Sequence, residues 1–244
     1  MTDFGGNDTY ISTTSAMQII KDYSNPYYEQ DNTKSYDISK FQNKEDYKIY
    51  LESFDNGNDT YNLGSGNDAI IDQSSGYDLI YTGDGLDSIS VGDAGYAKVF
   101  AEGGNDSIYA YERDITELYG GDGDDHITVS NGKWSYISGD NGDDTIETSD
   151  CLDLIINGGN GIDTINVTNC ANTIIDAGAN NDFITAENST ILEIDTGSGN
   201  DEIEIHNYQD LTLNAESGDD NINIFNDSYY GTSHVYGGDG VDNI

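Results

Sequence analysis

The chain has 244 residues, enough for one long domain or two short ones, and sets 47 Asp+Glu against 8 Lys+Arg for a formal net charge of -39. A polyanion of this kind has no basic surface to displace phosphate counterions and is repelled by anionic headgroups, which excludes general nucleic-acid binding and attraction to an acidic membrane. Apolar runs such as Leu154-Ile155-Ile156 are too short to span a bilayer, and no N-terminal signal-peptide pattern is visible.

High charge with 35% hydrophobic residues would ordinarily indicate disorder. Against that stand a single proline, Pro26, and 29 glycines at regular spacing. Periodic glycine in an acidic chain has a structural reason, so repeats come first.

In chain order, residues 1–12 hold one partial motif, GGNDTYI (5–11), which returns as NGNDTYNL at 56–63. Between them, residues 13–55 break the pattern and hold five of the eight basic residues, Lys21, Lys34, Lys40, Lys44 and Lys48. This stretch reads as an irregular insertion or an N-terminal cap, with a short helix at Lys40–Phe54. From residue 56 to 244 a clock runs. Glycine-rich turns close on Asp68, Asp87, Asp106, Asp125, Asp144, Asp163, Asp182, Asp201 and Asp220, every interval being 19. Asp242 follows after 22, which places three extra residues in a loop within 226–233.

Two apolar columns keep the same time. Ile70, Ile89, Ile108, Ile127, Ile146, Ile165, Ile184, Ile203, Ile222 and Ile244 stand two residues after an Asp; Ile80, Val99, Leu118, Ile137, Ile156, Ile175, Ile194, Leu213 and Val235 stand seven before the next. Around them the pattern alternates, as in Glu-Ile-Glu-Ile (202–205), which predicts short strands with one face inward. Strands this short bury nothing alone, but coils stacked on one another merge the Ile columns into a continuous core. The predicted fold is all-β: a parallel β-roll or β-solenoid with two short strands per 19-residue coil and about nine or ten coils.

The two corners of each coil differ. At one, glycine permits positive φ and leaves carbonyls unobstructed. Six residues past each Asp the other corner reads Asn131, Asp150, Asn169, Asn188, Asn207 and Asn226, a predicted ladder of residues that tolerate the left-handed conformation and hydrogen-bond along the stack without metal. In the early coils both corners carry Gly–Asp turns, with Asp59 and Asp78 forming a second column that fades at Ala97.

Parallel strands lie about 4.8 Å apart. Charges stacked at that spacing repel by roughly 3.5 kcal/mol per pair at an effective dielectric of about 20. Over the whole column this exceeds the ~5–15 kcal/mol stability of an ordinary domain. The column is therefore either splayed into solvent or neutralised by a cation. Carboxylate and carbonyl oxygens suit a hard ion with six to eight ligands, no Cys/His cluster favours zinc or copper, and magnesium demands tighter geometry; calcium fits best.

The segments GGNDTYI, GGDGDDHIT, GGNGIDTIN and GGDGVDNI resemble GGxGxDxUx, the nonapeptide of the repeat-in-toxin (RTX) family. The resemblance covers residues 56–244 and extends to 4–12. It implies a right-handed parallel β-roll with calcium between successive turns, type I export, and folding triggered by extracellular calcium. It also implies that the sixth-position aspartates are the main side-chain ligands, helped by third-position Asp84, Asp122, Asn141, Asn160 and Asp239. The departure is that the family repeats every nine residues and loads both edges. Coils of 19 residues loaded on one edge are similar to the ice-binding solenoid of a bacterial adhesin, but the Thr of its turn array is replaced here by Ser65, Asp84, Gly103, Asp122 and others, a poor match to ice.

His126, His206 and His234 fall on separate coils, and neither HExxH nor GxSxG occurs, so the chain reads as non-catalytic. Cys151 and Cys170, 19 apart, share a corner on adjacent coils, either as a disulfide or as two stacked thiols. Tyr77, Tyr96 and Trp134 read as outward aromatic packing along a polar sheet, with glycan or protein contact as the functional alternative. The resulting expectation is a calcium-binding structural segment of a longer secreted bacterial surface protein of the S-layer, adhesin or toxin kind, with like subunits or a surface glycan as partners. The alternatives are a ligand-binding solenoid, for ice or polysaccharide, and a chaperone-like module of a secreted enzyme.

Overall fold

The computed structural model describes residues 58–73, 75–92, 95–225 and 231–244 in full, and the strands Ser12–Thr14, Met17–Asp22, Lys34–Asp37 and Lys48–Ser53 by backbone alone. Among these residues every regular element is a strand. They form two sheets, one of 12 strands and one of 11; Ser12–Thr14 pairs antiparallel with Met17–Asp22 in the first, and from Met17–Asp22 onward successive strands alternate between the two. The result is a parallel β-solenoid of about nine turns at 19-residue spacing.

Register follows the sequence period. Ile108 faces Ile89 and Ile127 in the first sheet, and Leu118 faces Val99 and Ile137 in the second. Strands such as His126–Ser130 alternate exposed and buried positions because a pleated strand sends successive side chains to opposite faces. The Ile column from Ile70 to Ile222 is almost fully buried, as is the facing column from Ile80 to Leu213. At the Asp242 turn Val235 is partly buried and Ile244 is 69% exposed. The interior thus holds two aliphatic rows, one all isoleucine and one of isoleucine, valine and leucine, each member stacked on its register equivalent one coil away.

The solenoid also takes in part of the stretch read as an insertion or cap. Lys48–Ser53 is a strand rather than a helix and pairs in parallel with Ala69–Asp72 at the usual spacing, Tyr50 facing Ala69. Met17–Asp22 lies parallel beside it with Met17 facing Lys48, an interval of 31, and Lys34 faces Asp59, an interval of 25. The predicted helix residues 40–47 and Phe54, the partial motif at 5–11, and the loop at 226–230 lie outside the described residues. The 22-residue step is visible where Asp210 faces Thr232.

Candidate metal centre: a buried aspartate column

Each glycine-rich turn leads out of a second-sheet strand into a first-sheet strand. In the Asp125 coil, Ile115–Asp122 ends the second-sheet run, Gly121 and Gly123 take φ of 112° and 135°, and His126–Ser130 follows. Only glycine fits comfortably there: a β-carbon on Gly123 would lie 2.1 Å from the carbonyl oxygen of Gly104 in the preceding coil. The tight reversal turns the closing aspartate inward. Asp68, Asp87, Asp106, Asp125, Asp144, Asp163, Asp182, Asp201 and Asp220 are all at most 3% exposed. The column is not splayed into solvent.

Its two carboxylate oxygens have different surroundings. From Asp87 onward, Oδ1 of each aspartate accepts the main-chain N–H of the aspartate one coil earlier. The distances are 2.7–2.9 Å from the Asp68–Asp87 pair to the Asp201–Asp220 pair, and 3.2 Å for Asp220 to Asp242. Oδ2 of Asp87, Asp106, Asp125, Asp144, Asp163, Asp182, Asp201 and Asp220 is buried and has no hydrogen-bond partner. An unsatisfied buried oxygen is costly, more so when charged. Burial accordingly raises these carboxyls from 3.8 to about 7 for Asp87, Asp106 and Asp182, about 8 for Asp144 and about 6 for Asp125 and Asp163, against the opposing pull of the main-chain N–H. Asp201 and Asp220 shift in the same direction for the same reason. Neighbouring carboxylates add to the rise, Asp163, Asp125 and Asp124 acting on Asp144.

The third-position residues lie elsewhere. Asp84, Asp122, Asn141, Asn160 and Asp239 are exposed on the outer rim. There Asn141 Nδ2 donates to Asp122 Oδ1 and Asn160 Nδ2 to Asn141 Oδ1, both at 2.8 Å. The structure brings these three to one another rather than to the buried oxygens. Beside them runs a second ladder that sequence reasoning missed. The side-chain oxygens of Asn67, Asn105, Asp124, Asp143, Asn181, Asn200 and Asp219 accept the N–H of the equivalent residue one coil on. The interruptions at Leu86 and Ile162 hid it, yet those residues still donate their N–H groups to Asn67 and Asp143.

The opposite corner behaves differently. Asn131, Asp150, Asn169, Asn188 and Asn207 adopt φ of 51–57°, as the ladder reading requires, and Glu112 joins them at 54°. Side-chain bonds link Asn169 to Asp150 at 3.3 Å and Asn207 to Asn188 at 3.2 Å. Elsewhere the corner is held by main-chain bonds, such as Asn131 N–H to the Ser149 carbonyl at 3.0 Å. Asn226 lies outside the described residues.

In the early coils of this corner, Asp59, Asp72 and Asp78 are buried, and Asp78 Oδ1 accepts the Asp59 N–H at 3.1 Å. Arg113, the chain's sole arginine, reaches back into this corner and is 1% exposed. Its guanidinium meets Asp72 Oδ2 at 3.1 Å and Asp78 Oδ2 at 3.4 Å. Asp78, read from the sequence as a metal ligand, thus has a cation tethered to the chain. The available signal was register: Arg113 stands 19 before Gly132, 38 before Cys151 and 57 before Cys170, a column of small or buried residues.

Cys151 and Cys170 are buried free thiols, with the Cys151 N–H donating to Cys170 Sγ at 3.4 Å. The hydrogen bond between the two side chains lowers Cys170 to about 7 and raises Cys151. The histidines stay apart: His126 lies by Thr128 at 3.2 Å and His206 by Glu204 at 2.7 Å on the outer face, and His234 is exposed. Tyr77 and Tyr96 stack outside the roll with ring centroids 3.9 Å apart, and Tyr81, Phe100 and Tyr119 form a parallel stack beside them.

Among the described residues no three His, Cys, Asp or Glu side chains converge. The column offers one carboxylate per coil, so further ligands to an ion would be main-chain carbonyls. All-oxygen donors, a formal negative charge and orphaned buried Oδ2 atoms suit a hard cation, so the residues fit calcium. The cations with described side chains are committed elsewhere: Lys98 to Glu117, Lys133 to Asp114 and Arg113 to Asp72 and Asp78. Comparison with protein-family models, curated proteins and solved structures finds no match.

Proposed function

We propose that the chain is a calcium-binding structural solenoid, a segment of a secreted bacterial surface protein of the RTX type, whose coils stack stably only when the aspartate column is neutralised. The single observation that carries this reading is the row of eight buried Oδ2 atoms without a hydrogen-bond partner. Calcium would supply positive charge to that row. The row from Asp87 through Asp106, Asp125, Asp144, Asp163, Asp182 and Asp201 to Asp220 would supply the carboxylate oxygens, while Oδ1 keeps the coils in register through the main-chain N–H. Asp68 and Asp242 extend the row at its ends. The role is mechanical: binding converts a self-repelling chain into a stiff rod suited to an extracellular setting where calcium is abundant.

Circular dichroism of the full chain, stripped of metal at pH 8 and then titrated with calcium, tests the reading. Coil-like spectra giving way to β signal at millimolar calcium support it, since ligand that binds only the folded state stabilises it by mass action. Unchanged β signal in metal-free buffer sinks it. Ice, polysaccharide and chaperone roles have no comparable observation behind them.

A further inference from the structure

We propose that the residue five positions before each column aspartate selects which turns take a cation, so that the row is graded, with its strongest sites in three consecutive coils at Gly120, Gly139 and Gly158. This rests on the cation-column reading and adds a selectivity that the aspartates alone do not carry.

At Gly120, two oxygens of different origin converge on the open face of the Cα. A β-carbon there would lie 2.2 Å from Asp125 Oδ2 and 2.8 Å from the carbonyl oxygen of Gly139 in the next coil. At Gly139 the corresponding distances are 2.3 Å to Asp144 Oδ2 and 2.6 Å to the Gly158 carbonyl; at Gly158 they are 2.6 Å to Asp163 Oδ2 and 2.4 Å to the Ala177 carbonyl. Only a residue without a side chain leaves this approach intact. The paired atoms are a carboxylate oxygen with no hydrogen bond and a neighbouring carbonyl, the two donor types a hard cation uses.

Thr82 and Thr196 occupy the same register in the Asp87 and Asp201 coils. Both are fully buried, and their hydroxyls donate to the next coil's carbonyl, Thr82 Oγ1 to Ala101 at 3.1 Å and Thr196 Oγ1 to Ala215 at 3.0 Å. The carbonyl that approaches the bare Cα in the glycine coils is here met by a neutral hydroxyl, and the same hydroxyl lies against the column carboxylate, Thr82 on Asp87 and Thr196 on Asp201, favouring its charged form. These coils satisfy the carbonyl with a proton where the glycine coils present it to an ion.

The test is calcium stoichiometry of the full chain, by native mass spectrometry and by equilibrium dialysis with atomic absorption. Thr82→Gly with Thr196→Gly should raise the count by about two ions per chain, and Gly139→Thr should lower it by about one. Thr82→Ser, which keeps the hydroxyl, should leave it unchanged. If Gly139→Thr does not fold, the threonine-to-glycine pair still decides. Calcium bound by the unaltered chain, with no change in count in the double variant, overturns the grading and leaves the calcium reading standing. No calcium bound by the unaltered chain overturns both.

Discussion

The main-chain N–H of Asp125 donates to Oδ1 of Asp144, one coil on, at 2.7 Å, while Oδ2 of the same Asp144 is buried with no partner. One side chain therefore performs two tasks: one oxygen fixes the register between coils, and the other concentrates unbalanced negative charge inside the solenoid. The first task stabilises the stack at any pH. The second destabilises it until a proton or a cation arrives.

Asp144→Ala, measured in saturating calcium, should cost more than Asp242→Ala. The first leaves the buried Asp125 N–H without an acceptor, a loss of about 1–3 kcal/mol before any effect on ions. Asp242 is only half-buried and holds the Asp220 N–H at 3.2 Å. Urea unfolding of both variants gives the comparison. Equal midpoints would mean that position along the column does not matter.

Without metal, stability should fall as pH rises. The column carboxyls sit near 6–8 in the folded chain, against 3.8 when exposed. Between those limits the folded state binds more protons than the unfolded state, so each unit of pH increase favours unfolding. The loss begins near pH 4 and is complete above about pH 8, and calcium should flatten it. Thermal midpoints of resin-stripped protein at pH 5 and pH 8 decide the matter. A higher midpoint at pH 8 would falsify the charge balance described here.

The rows of isoleucine were legible from the sequence because a parallel solenoid repeats its register without drift, so Ile108, Ile127 and Ile146 had to stack. The aspartate turns were legible for the same reason, but not the direction of their side chains. A carboxylate after glycines reads as a surface group, and only the hydrogen bond from the preceding coil's N–H shows why it turns inward. The strand at Met17–Asp22 was hidden because its interval to Lys48 is 31 rather than 19. Arg113 was hidden because its partners lie 41 and 35 residues back, on coils that sequence proximity does not associate with it.

The two buried thiols should report on the folded state. Cys151 and Cys170 are each 1% exposed in the second corner, away from the aspartate turns. In calcium, an aromatic disulfide reagent should leave both unmodified over hours; in metal-free buffer at pH 8 both should react within minutes. Rapid reaction of either thiol in calcium would show that the Asp144 and Asp163 coils open locally without losing the column.

Arg113 should hold the early coils independently of calcium. Its guanidinium is sealed between Asp72 and Asp78, and removing one partner of such a buried arrangement typically costs about 3–5 kcal/mol because the remaining charges stay buried. Arg113→Met removes the charge while keeping an apolar stem, so both carboxylates lose their guanidinium. The expected result is a lower urea midpoint even in saturating calcium. The triple variant Arg113→Met, Asp72→Asn, Asp78→Asn should recover much of the loss, since neutral amides bury at lower cost than unpaired carboxylates. Loss in the single variant that excess calcium fully restores would mean that the Asp72–Asp78 corner is itself a metal site, with Arg113 standing in for the ion. Loss that only the asparagine substitutions restore would establish the tethered charge as the element that frees this corner from metal, which is the physical difference between the two edges of the solenoid.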